Sequence, residues 1–130
     1  ISTHKTIVMK NMLNWFEIPV SDFERGKIFY ETIFATPMQS VDFGGVKMVF
    51  LPSYEGKVSG ALCCGPDYKP SMNGSLIYLN ANPDLNGVLN RVENAGGKIL
   101  SAKKQISPEY GYMALFVDSE GNRMALHSNA

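Results

Sequence analysis

The chain has 130 residues, 45% hydrophobic and 18% charged, with 12 Lys and Arg balanced by 12 Asp and Glu. That is the make-up of one globular domain, 1–130, long enough to bury a core. Zero formal net charge, with no basic run longer than Lys103-Lys104, removes the general electrostatic reason to expect nucleic acid or an anionic membrane as partner.

The first element lies in NWFEIPVSDFERGKIFYETIF, Asn14 to Phe34. Phe16, Ile18 and Val20 alternate with Glu17, Pro19 and Ser21, the period of a strand, so Trp15 and Glu17 share the opposite face. Ser21-Asp22-Phe23-Glu24 matches a capping box, with Ser21 as cap and Glu24 reaching back. Phe29, Tyr30, Ile33 and Phe34 then recur at helical spacing until Ala35-Thr36-Pro37 ends the helix. Strands are expected over Met38–Phe43, Val46–Leu51 and Gly60–Cys64, separated by Gly44-Gly45 and by 52–56. Residues 66–74 form a linker.

The order then restarts. Leu76–Ala81 reads as a strand. Asn82-Pro83-Asp84 opens a helix, with Asn82 as cap and Pro83 at its first position. Leu85, Val88, Leu89, Val92 and Ala95 form its apolar stripe, and Gly96-Gly97 stops it. Strands follow over Lys98–Ala102, Tyr112–Val117 and Arg123–His127, the last two joined by the turn Asp118–Asn122. Lys103-Lys104 and Glu109-Tyr110 are expected in a loop. The pattern is strand–helix–strand–strand–strand, twice, over about 14–65 and 75–128, in the α+β class.

Cys63 and Cys64 are the only cysteines. Adjacent cysteines pair with each other only under strain, and two free thiols fit a reducing compartment, so a cytoplasmic location is expected. No apolar run approaches the roughly 20 residues a membrane-spanning helix needs. The chain opens on Ile1 rather than Met, which keeps a removed leading segment, an export signal included, among the expectations.

Three stretches, WFEIPVSDFERGKIFYETIF, GALCCGPDYKPSMNGSLIYLNANPDLNGVLNRVENAGGKI and GYMALFVDSEGNRMALHS, resemble in this order the vicinal oxygen chelate superfamily, which includes glyoxalase I, bleomycin-resistance proteins and extradiol dioxygenases. The resemblance runs from Asn14 to Ser128. It implies two βαβββ modules forming a curved mixed sheet around a small-molecule cleft, in a protein that is commonly a homodimer. In metal-binding members the ligands come from the first and last strand of each module. Those positions fall here on Trp15, Cys63, Leu76 and Ala125. An indole, an isobutyl and a methyl group cannot bind a divalent cation, and one thiolate is too few. The expectation is therefore no cofactor and no metal at the usual site.

Two residues further along each strand, on the same face, the same placement brings in Glu17, Tyr78 and His127, with Cys63 nearby. A carboxylate, a phenol and an imidazole could bind a polar ligand or move a proton, which makes Glu17 and His127 the catalytic candidates. Each also has a plainer reading. Glu17 fits a solvated strand residue, Tyr78 and His127 fit wall residues with satisfied polar atoms, Cys63 an inert small hydrophobe, and Trp15 a rim or core residue. Trp15, Tyr78, Phe50 and Tyr112 would supply aromatic cleft walls. Gly44-Gly45 and Gly96-Gly97 lack the context of phosphate-binding loops.

Three functions fit. The first is a metal-free binder of a small organic ligand, resembling the resistance proteins. The second is a lyase, isomerase or dioxygenase with a rearranged site. The third is a regulatory partner whose sheets mainly build a dimer, which no residue specifically favours.

Overall fold

The computed structural model describes residues 11–130. His4 and the start of the chain, with any expectation about a leading segment, lie outside the described residues.

Alternation in the opening segment decides which face of β1 (Phe16–Pro19) is buried: Ile18 and Val20 are 1% exposed, whereas Trp15 and Glu17 are open to solvent. The chain continues through α1 (Phe23–Ile33), β2 (Ser40–Phe43), β3 (Val46–Phe50) and β4 (Gly60–Cys64). β2, β3 and β4 form an antiparallel meander, and β1 closes the sheet by pairing parallel with β4, in the order β1-β4-β3-β2. The second half repeats this with β5 (Tyr78–Asn80), α2 (Asn86–Leu89), β6 (Lys98–Ser107), β7 (Gly111–Val117) and β8 (Arg123–Ser128), in the order β5-β8-β7-β6, with β5 parallel to β8. The described residues therefore form two βαβββ modules with mixed four-stranded sheets, the expected α+β class. β1 and β5 are end strands of their sheets.

Both modules share one core. Phe29, Tyr30 and Ile33 of α1 are fully buried, together with Val49 and Leu62 of the first sheet and Phe116 and Leu126 of the second. Burying each of these α1 side chains stabilises by about 1.5–3 kcal/mol. Phe29 stands edge-on to Tyr30, with centroids 5.0 Å apart, and its ring lies 6.1 Å from that of Phe116.

Three local expectations are overturned. The cap of α1 is Asp22, whose Oδ1 accepts the Arg25 N–H at 3.0 Å, and not Ser21. The acid of the expected capping box is supplied from the far end of the chain: Glu120 Oε1 accepts the N–H groups of Ser21 (3.0 Å) and Asp22 (2.7 Å), the task assigned to Glu24. Gly26 permits this approach, because a Cβ there would meet a Val20 methyl at 2.9 Å and the Glu120 Cγ at 3.6 Å. The second helix begins later and is shorter than its apolar stripe suggests. Asn82-Pro83 is a cis peptide, the Asn82 carboxamide is used by the Asn129 N–H, and α2 starts after Leu85 with no side-chain cap. Residues 90–96 continue as turns that still bury Val92. Finally, Lys103 and Lys104 belong to β6, which runs on to Ser107 with register shifts against β7.

The second module also holds the other end of α1. Arg91 Nη1 donates to the Ile33 carbonyl at 2.9 Å, placing a cation at the helix C-terminus as Glu120 places an anion at its N-terminus. No helix among the described residues is long and apolar enough to cross a membrane.

Candidate functional site

Two adjoining cavities lie where β1 and β5 meet the 51–59 segment. The smaller, about 380 Å³, is walled by Trp15 at the foot of β1, Phe50 at the end of β3, and Lys57. The larger, about 580 Å³, takes Phe16 from β1, Phe34 from the end of α1, Tyr78, Leu79 and Asn80 from β5, and Tyr54 from the loop. Leu51, Ser53, Val58 and Ser59 line both, so the two form one joined cleft. The strand period explains its mixed walls. Phe16 and Leu79 lean from the core side of their strands, whereas Trp15 and Tyr78 stand on the opposite faces. Trp15 is 44%, Tyr78 49% and Tyr54 75% exposed, an unusual outlay of aromatic surface for groups that could have been buried. The Trp15 ring meets Phe50 edge-on at 6.1 Å.

Of the residues singled out from sequence, the cleft gathers Trp15, Phe50 and Tyr78. Neither cavity is lined by Glu17, Cys63, Leu76, Tyr112, Ala125 or His127. Glu17 lies on the outward face of the first sheet, where its Oε1 accepts the Tyr68 hydroxyl at 2.7 Å. That bond, with some burial, pushes the Tyr68 phenol up to about 12. Cys63 sits on the same face, fully buried, and burial followed by the Glu17 charge pushes its thiol up to about 12. It is a protonated, inert thiol at neutral pH.

On the second sheet, His127 Nε2 lies 2.6 Å from the Tyr110 carbonyl. A carbonyl only accepts, so Nε2 carries the proton there. The register pairs Tyr78 with Ala125 and Asn80 with His127. Of the expected set of Glu17, Tyr78 and His127, only Tyr78 lines a cavity; the register puts Tyr78, Asn80 and His127 on one face of the second sheet, with Asn80 level with His127, while Glu17 belongs to the first sheet. Leu76 is half-buried ahead of β5, and Ala125 is fully buried in β8. Tyr112 points to the core side and lies beneath Lys103, whose Nζ is 4.6 Å from the ring centroid. Lys103 also pairs with Asp84 at 3.0 Å.

Sequence reading missed Phe16, Phe34, Tyr54, Asn80 and Tyr68. Phe16 and Phe34 carried a core signal, and only their place at the module junction turns them toward a cavity. Tyr54 and Tyr68 sit in segments rich in turn residues, where an aromatic side chain with no turn role was the available clue.

A metal fits these residues poorly. The four positions implied by the resemblance hold an indole, a high-pKa buried thiol, an isobutyl and a methyl group. No cluster of three or more His, Cys, Asp or Glu able to hold an ion occurs among the described residues.

No protein-family model matches the chain. A glyoxylase-like domain-containing protein from Didymella fabae is 26% identical over 129 residues, spanning 92% of this chain and 95% of that relative. Among solved structures, a glyoxalase/bleomycin resistance protein from Albidiferax ferrireducens superimposes with a TM-score of 0.70 at 18% identity, covering 92% of this chain and all of that one. TnmS3, an antibiotic-binding protein from a Streptomyces species, superimposes with a TM-score of 0.65 at 20% identity over 98% of this chain and the whole of its own. Glyoxalase I from Zea mays matches with a TM-score of 0.60 at 20% identity, this chain spanning 46% of its length. The fold is therefore that of the glyoxalase/bleomycin-resistance proteins, as the sequence resemblance implied.

Proposed function

Taking the glyoxalase/bleomycin-resistance fold as premise, we propose that this protein binds a small organic molecule in the joined cleft between β1, β5 and the 51–59 segment, and does so without a metal at the superfamily's usual positions. The observation that carries the reading is the cleft itself, a cavity of about 580 Å³ walled by exposed aromatic rings at the junction of the modules. Small-molecule sites are concave, mostly apolar and preferentially placed at such junctions. The likeness to an antibiotic-binding protein lends support.

The enzymatic alternative finds less support. Glu17 and His127 line neither cavity and each already has a hydrogen-bond partner, so the cleft as it stands brings neither to a bound substrate. The positions from which relatives polarise an enediolate with a metal carry no suitable donors.

A thermal-shift screen of small organic compounds tests the proposal. A ligand at about a hundred times its Kd stabilises by about 2.7 kcal/mol, a rise of several degrees in Tm. The expected outcome is at least one such compound, with the shift much reduced in Tyr78→Ala. A broad library without a single binder would sink the proposal. So would turnover of a glutathione hemithioacetal on adding Ni²⁺ or Zn²⁺.

A further inference from the structure

None of the residues lining the larger cavity carries a charge. Its polar groups divide into committed and free. The Ser53 hydroxyl donates to the Lys57 carbonyl, and the Ser59 hydroxyl to the carbonyls of Leu51 and Pro52. Asn82 donates from Nδ2 to Asn80 Oδ1 and accepts the Asn129 N–H. The backbone N–H of Asn82 also donates to Asn80 Oδ1, which identifies that atom as the oxygen and leaves Nδ2 of Asn80 as its unused end. The side-chain groups of this lining with no partner among the described residues are therefore Asn80 Nδ2 and the hydroxyls of Tyr54 and Tyr78, and each can donate.

Resting on the binding reading above, we infer that the cleft selects an uncharged, planar aromatic ligand bearing acceptor oxygens of the ketone or lactone kind. Flat rings match the aromatic walls, and acceptor oxygens match three donors that have no partner among the described residues. An anion entering the larger cavity would lose hydration with no cation to replace it. The charged wall residue of the smaller cavity, Lys57, is exposed on its loop, and a hydrated surface cation is a weak partner.

Three fluorescent probes separate charge from shape: 7-diethylaminocoumarin, its 3-carboxylic acid, and the ethyl ester of that acid, which is neutral but bulkier. In fluorescence titrations at pH 7.5 the parent and the ester are expected to bind, and the acid at least about tenfold more weakly. Tyr54→Phe and Tyr78→Phe are each expected to weaken the ester by about threefold, as loss of one neutral hydrogen bond does, with unchanged melting. An acid that binds as tightly as the ester overturns the inference and leaves the binding reading standing. Ester affinity indifferent to both hydroxyls overturns the assignment of donors. Failure of all three probes overturns the inference, and the library screen then decides separately whether the protein binds small molecules at all.

Discussion

Two polar regions of this molecule sit at the same junction between modules and are built in opposite ways. One is the turn Asp118–Asn122 where it meets α1. There Asp118 accepts the Tyr30 hydroxyl at 2.7 Å and the N–H groups of Glu120 and Asn122, and Asn122 donates to the Pro19 carbonyl and accepts the Ser71 N–H. Glu120 takes Ser21, Asp22, Arg25 and Ser119. All three turn side chains are buried, and every buried side-chain polar atom among the described residues has a partner. The other region is the cleft, where Tyr54, Tyr78 and Asn80 keep polar groups unused in the open. A fully satisfied buried network locks two elements together, whereas unused donors on an aromatic wall are available to something that comes and goes.

The contrast is sharpest at Glu120. Burial alone would raise its pKa, but hydrogen bonds from Arg25, the Asp22 N–H and Ser119 outweigh that and hold it at about 2. Glu120→Ala is expected to lower unfolding free energy by about 2–3 kcal/mol, because the partly buried N–H groups of Ser21 and Asp22 and the Arg25 guanidinium all lose their acceptor. Urea denaturation checks this, and a loss under about 1 kcal/mol would break the idea of a lock.

The pH dependence follows with a definite sign. A carboxylate depressed from 4.5 to about 2 contributes stability that is fully present above pH 4.5 and is lost as pH falls toward 2. Glu120→Gln, which cannot titrate, should show a flatter stability profile across that window. Parallel profiles for the two proteins would place the acid sensitivity elsewhere.

The smallest effects belong to the cleft. Tyr78→Phe removes an exposed hydroxyl with no partner among the described residues and is expected to change stability by no more than about 0.5 kcal/mol, whereas Asn80→Ala also removes the acceptor of two exposed Asn82 donors and is expected to cost about 0.5–1 kcal/mol. A loss comparable to that of Glu120→Ala would assign these side chains to the lock rather than to a ligand.

Much of the fold was legible in the residues. The alternation Phe16-Ile18-Val20 predicted the buried face of β1, the stripe through Phe29, Tyr30 and Ile33 predicted α1, and the restart of the element order at Leu76–Ala81 falls on β5, Tyr78–Asn80. The second helix was overread, because Leu85 to Ala95 bury the residues of a helical stripe while much of the segment runs as turns. The candidate site was half legible: Trp15, Phe50 and Tyr78 reach the cleft, but Glu17, Cys63 and His127 do not line it. Strand period tells which face a residue takes, and says nothing of how two sheets are set against each other.

The sequence by itself determined the main element types and the buried face of the first strand, since period and side-chain chemistry are local properties. Only the tertiary structure decided that Glu120 caps a helix begun almost a hundred residues earlier and that Tyr54, Tyr78 and Asn80 face one cavity. Those outcomes depend on how two modules pack over a common core, and that geometry arises from contacts between residues far apart in the chain.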